Sequence, residues 1–254
     1  MSKVLWVLGT GDANLGQEVV TQALGMYDHV FGSNEQTADV TSTEHLRAFL
    51  YNHIMFESDP DGLLVSELHV AYCAGVNLLD RIEDISPIDL QQTFDVNVMG
   101  FINLLKVLTL AASGVTTRKW AHETDYQPVR FDLASVVAVA SDAARNPMRN
   151  SIAYCASKAA LVQAVRVAAR ELAPKTRVNS VSPAIIDDTP MTWMIDKAVQ
   201  AQRGWSEEEA RDYERSLIPM RRRAYKHEVA SVILQTLAGP EFLTGSNIEI
   251  TGGK

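Results

Sequence analysis

The sequence is poor in cysteine, in positive charge and in long apolar runs, and each shortage excludes something. Two cysteines, Cys73 and Cys155, are too few for a disulfide framework, and both sit among apolar residues as small buried hydrophobes do. Lys and Arg total 23 against 31 Asp and Glu. The resulting net charge of −8 gives no electrostatic reason to expect nucleic acid or an anionic membrane as a partner. An acidic chain still holds an anion locally, so a phosphate-bearing ligand stays open. No apolar run approaches the roughly 20 residues of a membrane helix. The apolar start, Val4-Leu5-Trp6-Val7-Leu8, runs into a glycine turn without a small-residue cleavage site and reads as a buried strand. A cytoplasmic location is the default expectation. No His/Cys/carboxylate cluster has metal-ligand spacing, so no metal is expected.

What is present is ordinary for a folded chain: 46% hydrophobic and 21% charged residues argue against disorder. No repeat, low-complexity tract or Pro/Ser linker marks a boundary, so residues 1–254 read as one domain. Short apolar runs alternate with helical patterns. Strands are expected over 4–8, 29–32, 68–73, 136–140, 177–181 and 247–251, and helices over 17–24, about 90–110 and 156–173. This rhythm implies βαβ units: an α/β fold with a doubly wound, mostly parallel sheet, helices on both faces and ligands at the carboxyl ends of the strands. Two stretches break the rhythm. Ser33 and Asp39 are too close for a crossover helix between them, which predicts an open edge. The segment 112–133 has no clear period and reads as a surface excursion or subunit contact.

Gly9-Thr10-Gly11-Asp12-Ala13-Asn14-Leu15-Gly16 falls between the first strand and its helix. Glycines there let the backbone turn sharply and approach a pyrophosphate, whose charge the helix N-terminus stabilises. Asn14 stands where a middle glycine is usual, and asparagine tolerates left-handed backbone angles better than most residues. At the end of the second strand a carboxylate suits the 2′-hydroxyl of NAD and an arginine the 2′-phosphate of NADP. Here Gly32-Ser33-Asn34-Glu35 offers Asn34 or Glu35 and no cation, a lean towards NAD. Glu35 reads equally as a solvated loop charge.

Tyr154 and Lys158 are four apart, so on a helix they share one face. Carbonyl reduction needs a proton donor at oxygen as hydride reaches carbon, and a nearby ammonium is expected to lower the tyrosine pKa from about 10. Ser141 follows the apolar strand over 136–140, 13 positions before Tyr154.

With these residues in place the chain resembles the short-chain dehydrogenase/reductase family from Val4 to Gly253. The supports are the glycine turn, Asp39-Val40, Cys73-Ala74-Gly75, Asn97, the Ser141, Tyr154 and Lys158 set, Asn179-Ser180-Val181-Ser182-Pro183 and Gly252-Gly253. The resemblance implies a Rossmann-type oxidoreductase using NAD or NADP. Its catalytic set would be Asn97, Ser141, Tyr154 and Lys158. Tyr154 would be the acid/base and Ser141 would bond the reacting oxygen. Lys158 would lower the tyrosine pKa and grip the nicotinamide ribose, and Asn97 would help hold a water behind it. On the residues alone, Asn97 reads as helix-interior packing. Cofactor contacts would come from Gly9, Asn14, Leu15, Gly16, Asn34, Asp39, Val40, Ala74, Gly75, Tyr154, Lys158, Pro183, Ile186 and Thr189. Asp39 also reads as a helix N-cap, and either Asp188 or Thr189 matches the family threonine.

The resemblance also implies a substrate lid over 189–225, with Met191, Trp193 and Met194 as an apolar ceiling, and a homo-oligomer, tetramer or dimer, using the 156–173 helix. Ser206 followed by three glutamates reads as a capped helix start. Arg221-Arg222-Arg223 reads as a solvated run or subunit contact rather than an anion site. The four-residue Tyr–Lys spacing favours alcohol/carbonyl chemistry over the enoyl reductases of the superfamily. A second class of function is a dinucleotide-binding regulatory or scaffold protein that keeps the fold without turnover.

Overall fold

The computed structural model of the protein describes residues 2–55, 65–113 and 131–254. Among these, the strands are β1 (Ser2–Leu8), β2 (His29–Ser33), β3 (Val65–Tyr72), β4 (Asp132–Val139), β5 (Arg177–Pro183) and β6 (Asn247–Ile250). They form one sheet in the order β2-β1-β3-β4-β5-β6, every neighbouring pair parallel. The helices are α1 (Leu15–Ala23), α2 (Thr43–Phe49), α3 (Pro87–Phe94), α4 (Gly100–Ala112), α5 (Ile152–Leu172), α6 (Pro190–Arg203), α7 (Glu207–Ser216) and α8 (Lys226–Leu237).

The two-residue period of a strand explains why β1 is apolar throughout. Val4, Trp6 and Leu8 face a core built with Phe49 of α2, Phe101 and Leu104 of α4 and Leu161 and Val165 of α5. Leu5 and Val7 face the other way, onto Val19 of α1 and Val229, Ile233 and Leu237 of α8. The sheet is thus covered on both faces, as the alternation of runs implies. Consecutive strands leave β1 on opposite sides, towards β2 and towards β3, so the switch point that makes a crevice lies at the carboxyl ends of β1 and β3.

The six expected strands are all present. Residues 34–37 form a turn, and among the described residues β2 has no neighbour beyond it. Relative to the common 3-2-1-4-5-6 order, the described residues hold no strand beside β2. The crossover to β3 begins only after Asp39, with α2 capped by Ser42, whose Oγ accepts from His45 N. That cap refutes the reading of Asp39 as an N-cap. The helix expected over about 90–110 is broken by a π-helical turn, Asp95–Met99, between α3 and α4. Most of the 112–133 excursion lies outside the described residues; Ala112 closes α4 and Asp132 opens β4. Two helical stretches, Pro87–Ala112 and Ile152–Leu172, are apolar enough in composition to cross a membrane, which a search for unbroken apolar runs misses. Within those stretches 44% and 50% of the most apolar window is buried, and Leu104 and Leu161 belong to the core.

His69 of β3 is buried, opposite Leu5 and Ser135, with the Tyr27 ring edge-on at 5.3 Å. Neither ring nitrogen has a hydrogen-bond partner, and the nearest carboxylate, Glu67, stands 3.5 Å away. Burial, then the charge of Lys3, outweighs Glu67 and pushes the imidazole down to about 4. An unfolded histidine titrates near 6.5, so between these values the unfolded chain binds more protons. This contribution to stability is complete above about pH 6.5 and is lost as pH falls towards 4, by up to roughly 3 kcal/mol. Urea unfolding at pH 7, 5.5 and 4.5 measures it. His69→Phe is expected to flatten the decline, and an unchanged slope would refute the assignment.

Candidate active site

β1 ends at the switch point, where the chain has no room for side chains. A Cβ on Gly9 (φ +86°) would lie 2.5 Å from Ala74 N, and the backbone N of Gly9 and of Thr10 both donate to Ser33 O. Gly16, in the first turn of α1, would place a Cβ in collision with Gly9 O. The glycines therefore draw the α1 N-terminus down onto the ends of β1 and β3. Asn14 is the N-cap of α1. Its Oδ1 accepts from Gln17 N at 2.9 Å and its Nδ2 donates to Gly9 O at 3.0 Å. Its φ is −93°, so the expected left-handed role is wrong; Ala13 adopts that conformation, at φ 58°. Asn14 replaces a glycine by bracing the turn rather than by bending it.

Along the crevice, Asn34 turns its Oδ1 back onto Gln36 N and Thr37 N, leaving Glu35 exposed at the rim. Asp39 Oδ1 accepts from the backbone N and hydroxyl of Thr41 at 2.9 and 2.8 Å. Val40 is buried against Gly100 and Tyr72. The Tyr72 hydroxyl donates to Val96 O at 2.5 Å, fastening β3 to the π-helical turn.

That turn holds Asn97, fully buried and fully used. Its Oδ1 accepts from Val76 N, and its Nδ2 donates to Val76 O and Ser157 Oγ, each at 2.9 Å. It clamps the loop after β3 to α5. A Cβ on Gly75 would come within 3.2 Å of Lys158 Nζ and 3.3 Å of Asn97 Oδ1, so the loop passes directly over both.

Ser141 closes β4, and its Oγ accepts from Ala143 N to cap the 3-10 turn Asp142–Ala144. Tyr154 and Lys158 come up on one face of α5, the ammonium 5.6 Å from the phenol ring centre. Lys158 Nζ donates to Val139 O at 2.9 Å. Here the electrostatics depart from expectation. Burial pushes Tyr154 up to about 12, Asp142 adds to the rise, and the hydrogen bond with Ser141 only partly offsets them. Burial pushes Lys158 down to about 8. The ammonium does not lower the phenol in this structure, because the apolar walls disfavour both charged forms. Burial likewise raises the Cys73 thiol to about 12, and both cysteines are free.

All the anticipated cofactor and catalytic residues except Asn97 line one continuous cleft of about 2900 Å³; Asn97 stands directly behind its wall. Ile186 and Pro183 lie on its floor, and Thr189 caps α6 through Thr192 N. Asp188 is exposed, so Thr189 is the cleft-side member of the pair.

Over the cleft lie α6 and the capped helix α7, where Ser206 and Glu209 form a reciprocal cap. Met191 and Ile195 face the cleft, but Trp193 and Met194 are about half exposed and are not part of its ceiling. The arginine run is bonded within the chain, with Arg221 exposed, Arg222 half-buried and Arg223 buried. Arg222 forks onto Glu228, and Arg221 donates to Ser216 O. Arg223 is buried, with Nη1 and Nη2 on Asp196 of α6, and Nε and Nη2 on Glu214 of α7. Two further cleft residues escaped the sequence reading. Asp142, beside Ser141, accepts from Lys254 Nζ at 2.9 Å. Only tertiary contact reveals that pair, since 112 positions separate them.

A family model described as "Enoyl-(Acyl carrier protein) reductase" matches residues 19–254. An NAD-dependent glycerol dehydrogenase of Listeria innocua is 30% identical over 189 residues, 72% of this chain and 63% of that protein. An L-xylulose reductase of Caenorhabditis elegans is 31% identical over 182 residues, 71% of this chain and 62% of that protein. The chain thus matches a little under two thirds of the length of these curated relatives. A short-chain dehydrogenase family protein of Francisella tularensis superposes with a TM-score of 0.76 at 23% identity, covering 100% of this chain and 98% of that one. With the family model spanning nearly its whole length, the chain belongs to the short-chain dehydrogenase/reductase family.

Proposed function

We propose that the protein is an NAD(P)-dependent oxidoreductase that interconverts an alcohol and a carbonyl compound. The observation that carries this reading is the convergence of Ser141, Tyr154 and Lys158 in the same cleft as the glycine turn and the α1 N-terminus. The glycine approach at Gly9 and the positive end of α1 suit a dinucleotide pyrophosphate. When bound, the nicotinamide supplies or accepts the hydride. The chain's own residues manage the oxygen and its proton. Ser141 Oγ holds the reacting oxygen, and the Tyr154 hydroxyl gives it a proton during reduction. Lys158, its charge held beside the ring, stabilises the phenolate left behind. Asn97 keeps the Val76 backbone and α5 in register, so that the loop carrying Gly75 stays over Lys158.

Enoyl reduction is the second reading, favoured by the description of the matching family model. A hydroxyl pair on one oxygen, Ser141 with Tyr154, fits a carbonyl better than an alkene, and the four-residue Tyr–Lys spacing points the same way. Helices α6 and α7 act as a substrate lid on a body made by the rest of the chain. Exposed Met99 at the end of the π-helical turn, Ile102 on α4 and Val167 on α5 support a homo-oligomer, dimer or tetramer, formed through those helices.

With Tyr154 held near 12, the phenol is a proton donor at neutral pH. Reduction is expected to be level from pH 6 to 8, while alcohol oxidation rises by about tenfold per pH unit as the phenolate fraction grows. Tyr154→Phe is expected to lower kcat by about a hundredfold or more in both directions without loss of dinucleotide binding. Steady-state kinetics with NADH and a carbonyl panel, with crotonyl thioester as the alkene arm, tests the reading. Intact turnover in the variant overturns the mechanism, and selective alkene turnover overturns the carbonyl assignment.

The rim favours NAD. Glu35 and Asp39 line it, and among the described residues no Lys or Arg lines that end of the cleft. The NAD dependence of the Listeria relative supports the same preference. KM for NADH is expected to be at least about tenfold below that for NADPH, and Glu35→Arg to narrow or reverse the ratio. A variant ratio equal to the wild type's shows that the carboxylate does not decide.

The lid is held by Arg223. Its removal strands two mostly buried carboxylates, Asp196 and Glu214, and is expected to cost about 3 kcal/mol. Arg223→Met should lower Tm and raise the substrate KM more than the dinucleotide Kd. An unchanged substrate KM would sever the clasp from the lid.

A further inference from the structure

We infer that Asp142 and Lys254 form a recognition pair for a hydroxyl group on the carbon next to the reacting carbonyl, so that the substrate class is a small, neutral α-hydroxyketone and the corresponding vicinal diol. This rests on the alcohol/carbonyl reading above and names the object of that chemistry. Asp142 directly follows Ser141, and both line the cleft with Tyr154. Its carboxylate is a hub: the Ser141 hydroxyl lies 3.4 Å from Oδ1, and Lys254 Nζ lies 2.9 Å from Oδ2. The Asp142 side chain is only 6% exposed and that of Lys254 31%, and both face the cleft.

The pair is built by the surrounding chain. The segment over 251–254 turns through two left-handed glycines, Gly252 (φ 64°) and Gly253 (φ 92°). A Cβ on Gly252 would lie 2.8 Å from Ile218, and one on Gly253 would lie 3.2 Å from Pro219, so only glycines bring the tail this close beneath the end of α7. Gly252 O accepts from Met220 N at 3.1 Å, and Arg145 bonds Glu249 at 3.0 Å, fixing the tail to the lid base and the Ser141 turn to β6. These contacts deliver one ammonium to one carboxylate beside the catalytic serine.

The donor and acceptor count then selects the ligand. An ammonium has three N–H donors and a carboxylate about four acceptor sites, so mutual pairing leaves capacity on both. One hydroxyl can give its hydrogen to Asp142 and accept from Lys254 at once. Ser141 holds the reacting oxygen, so a hydroxyl one carbon away from that oxygen falls next to Ser141's own neighbour. The pair is neutral overall and offers no net attraction to an anion, while a bare ketone leaves both groups with unused capacity. Sites built to bond a substrate hydroxyl discriminate strongly against the analogue without it.

The test compares kcat/KM for 1-hydroxy-2-butanone and 2-butanone in one enzyme preparation, so that any loss of folded protein cancels in the ratio. The wild type is expected to favour the hydroxyketone by at least about 100-fold. Asp142→Asn and Lys254→Met should each cut that preference by about tenfold or more, Lys254→Met with butanone turnover little changed, and Lys254→Arg should restore most of it. A wild-type ratio near one, or a preference untouched by both variants, overturns the pair while leaving the carbonyl chemistry standing. Should the wild type reduce neither ketone, calorimetric titration of 1-hydroxy-2-butanone decides. Binding lost in Lys254→Met supports the pair although the proposed reaction fails, and no binding by the wild type overturns it.

Discussion

The collision that a side chain would suffer at Gly9 organises the rest of the molecule. The backbone of β1 passes so near Ala74 that a Cβ would lie 2.5 Å from a backbone nitrogen, and Gly16 is pressed onto Gly9 O in the same way. Those two approaches bring the positive end of α1, the carboxyl end of β1 and the loop after β3 into one small volume. Gly75 extends the same loop until it runs over Lys158 and Asn97. A crevice that begins as a packing constraint between β1 and β3 therefore ends beside Ser141, Tyr154 and Lys158. The sheet order reverses at that point, where open α/β sheets form their crevice.

The same close packing explains the charge states. Tyr154 and Lys158 are carried by a helix whose inner face belongs to the core, and both lose more from leaving water than they gain from each other. The site thus rests as a neutral phenol beside a lysine that gives up its proton easily, a state suited to donating a proton rather than taking one. A bound oxidised nicotinamide carries a positive charge that would shift this balance towards phenolate. Direction of reaction and protonation state are linked through burial rather than through the Tyr–Lys pair alone.

Legibility followed the range of the interactions. The strands over 4–8 and 136–140 are visible because burial on both faces leaves a continuous apolar run, and Tyr154 and Lys158 because four residues make one helical face. Helix α8 was equally legible, with Val229, Ile233 and Leu237 at helical spacing, and went unread between the arginine run and the last strand. Helix α2 is seven residues long, with only Leu46 and Phe49 buried, too short for a period to show. Asn14 misled because residue type suggests a backbone preference, whereas its side chain acts as a cap and the strain moves to Ala13. Arg223 and Lys254 could not be read at all. Their partners are 27 and 112 positions away, and a charged residue bonded across the fold looks, in sequence, like one in solvent.

Those long-range ion pairs divide the cleft into parts with different freedom. The floor is rigid: Asn97, Lys158 and Ser141 are each bonded to backbone, and Tyr154 is fixed by α5. The roof is tied by the Arg223 side chain, which joins α6 to α7, and by a backbone bond from Met220 N to Gly252 O. The ion pairs of Arg223 join α6 to α7 rather than to the floor, so the two helices are held as one unit. Lys254 belongs to both halves, anchored to the roof by its backbone neighbours and to the floor by Asp142. Lys254 therefore reaches the neighbour of Ser141 through a tail that is also bonded to the residues after α7, so floor and roof meet at one ammonium.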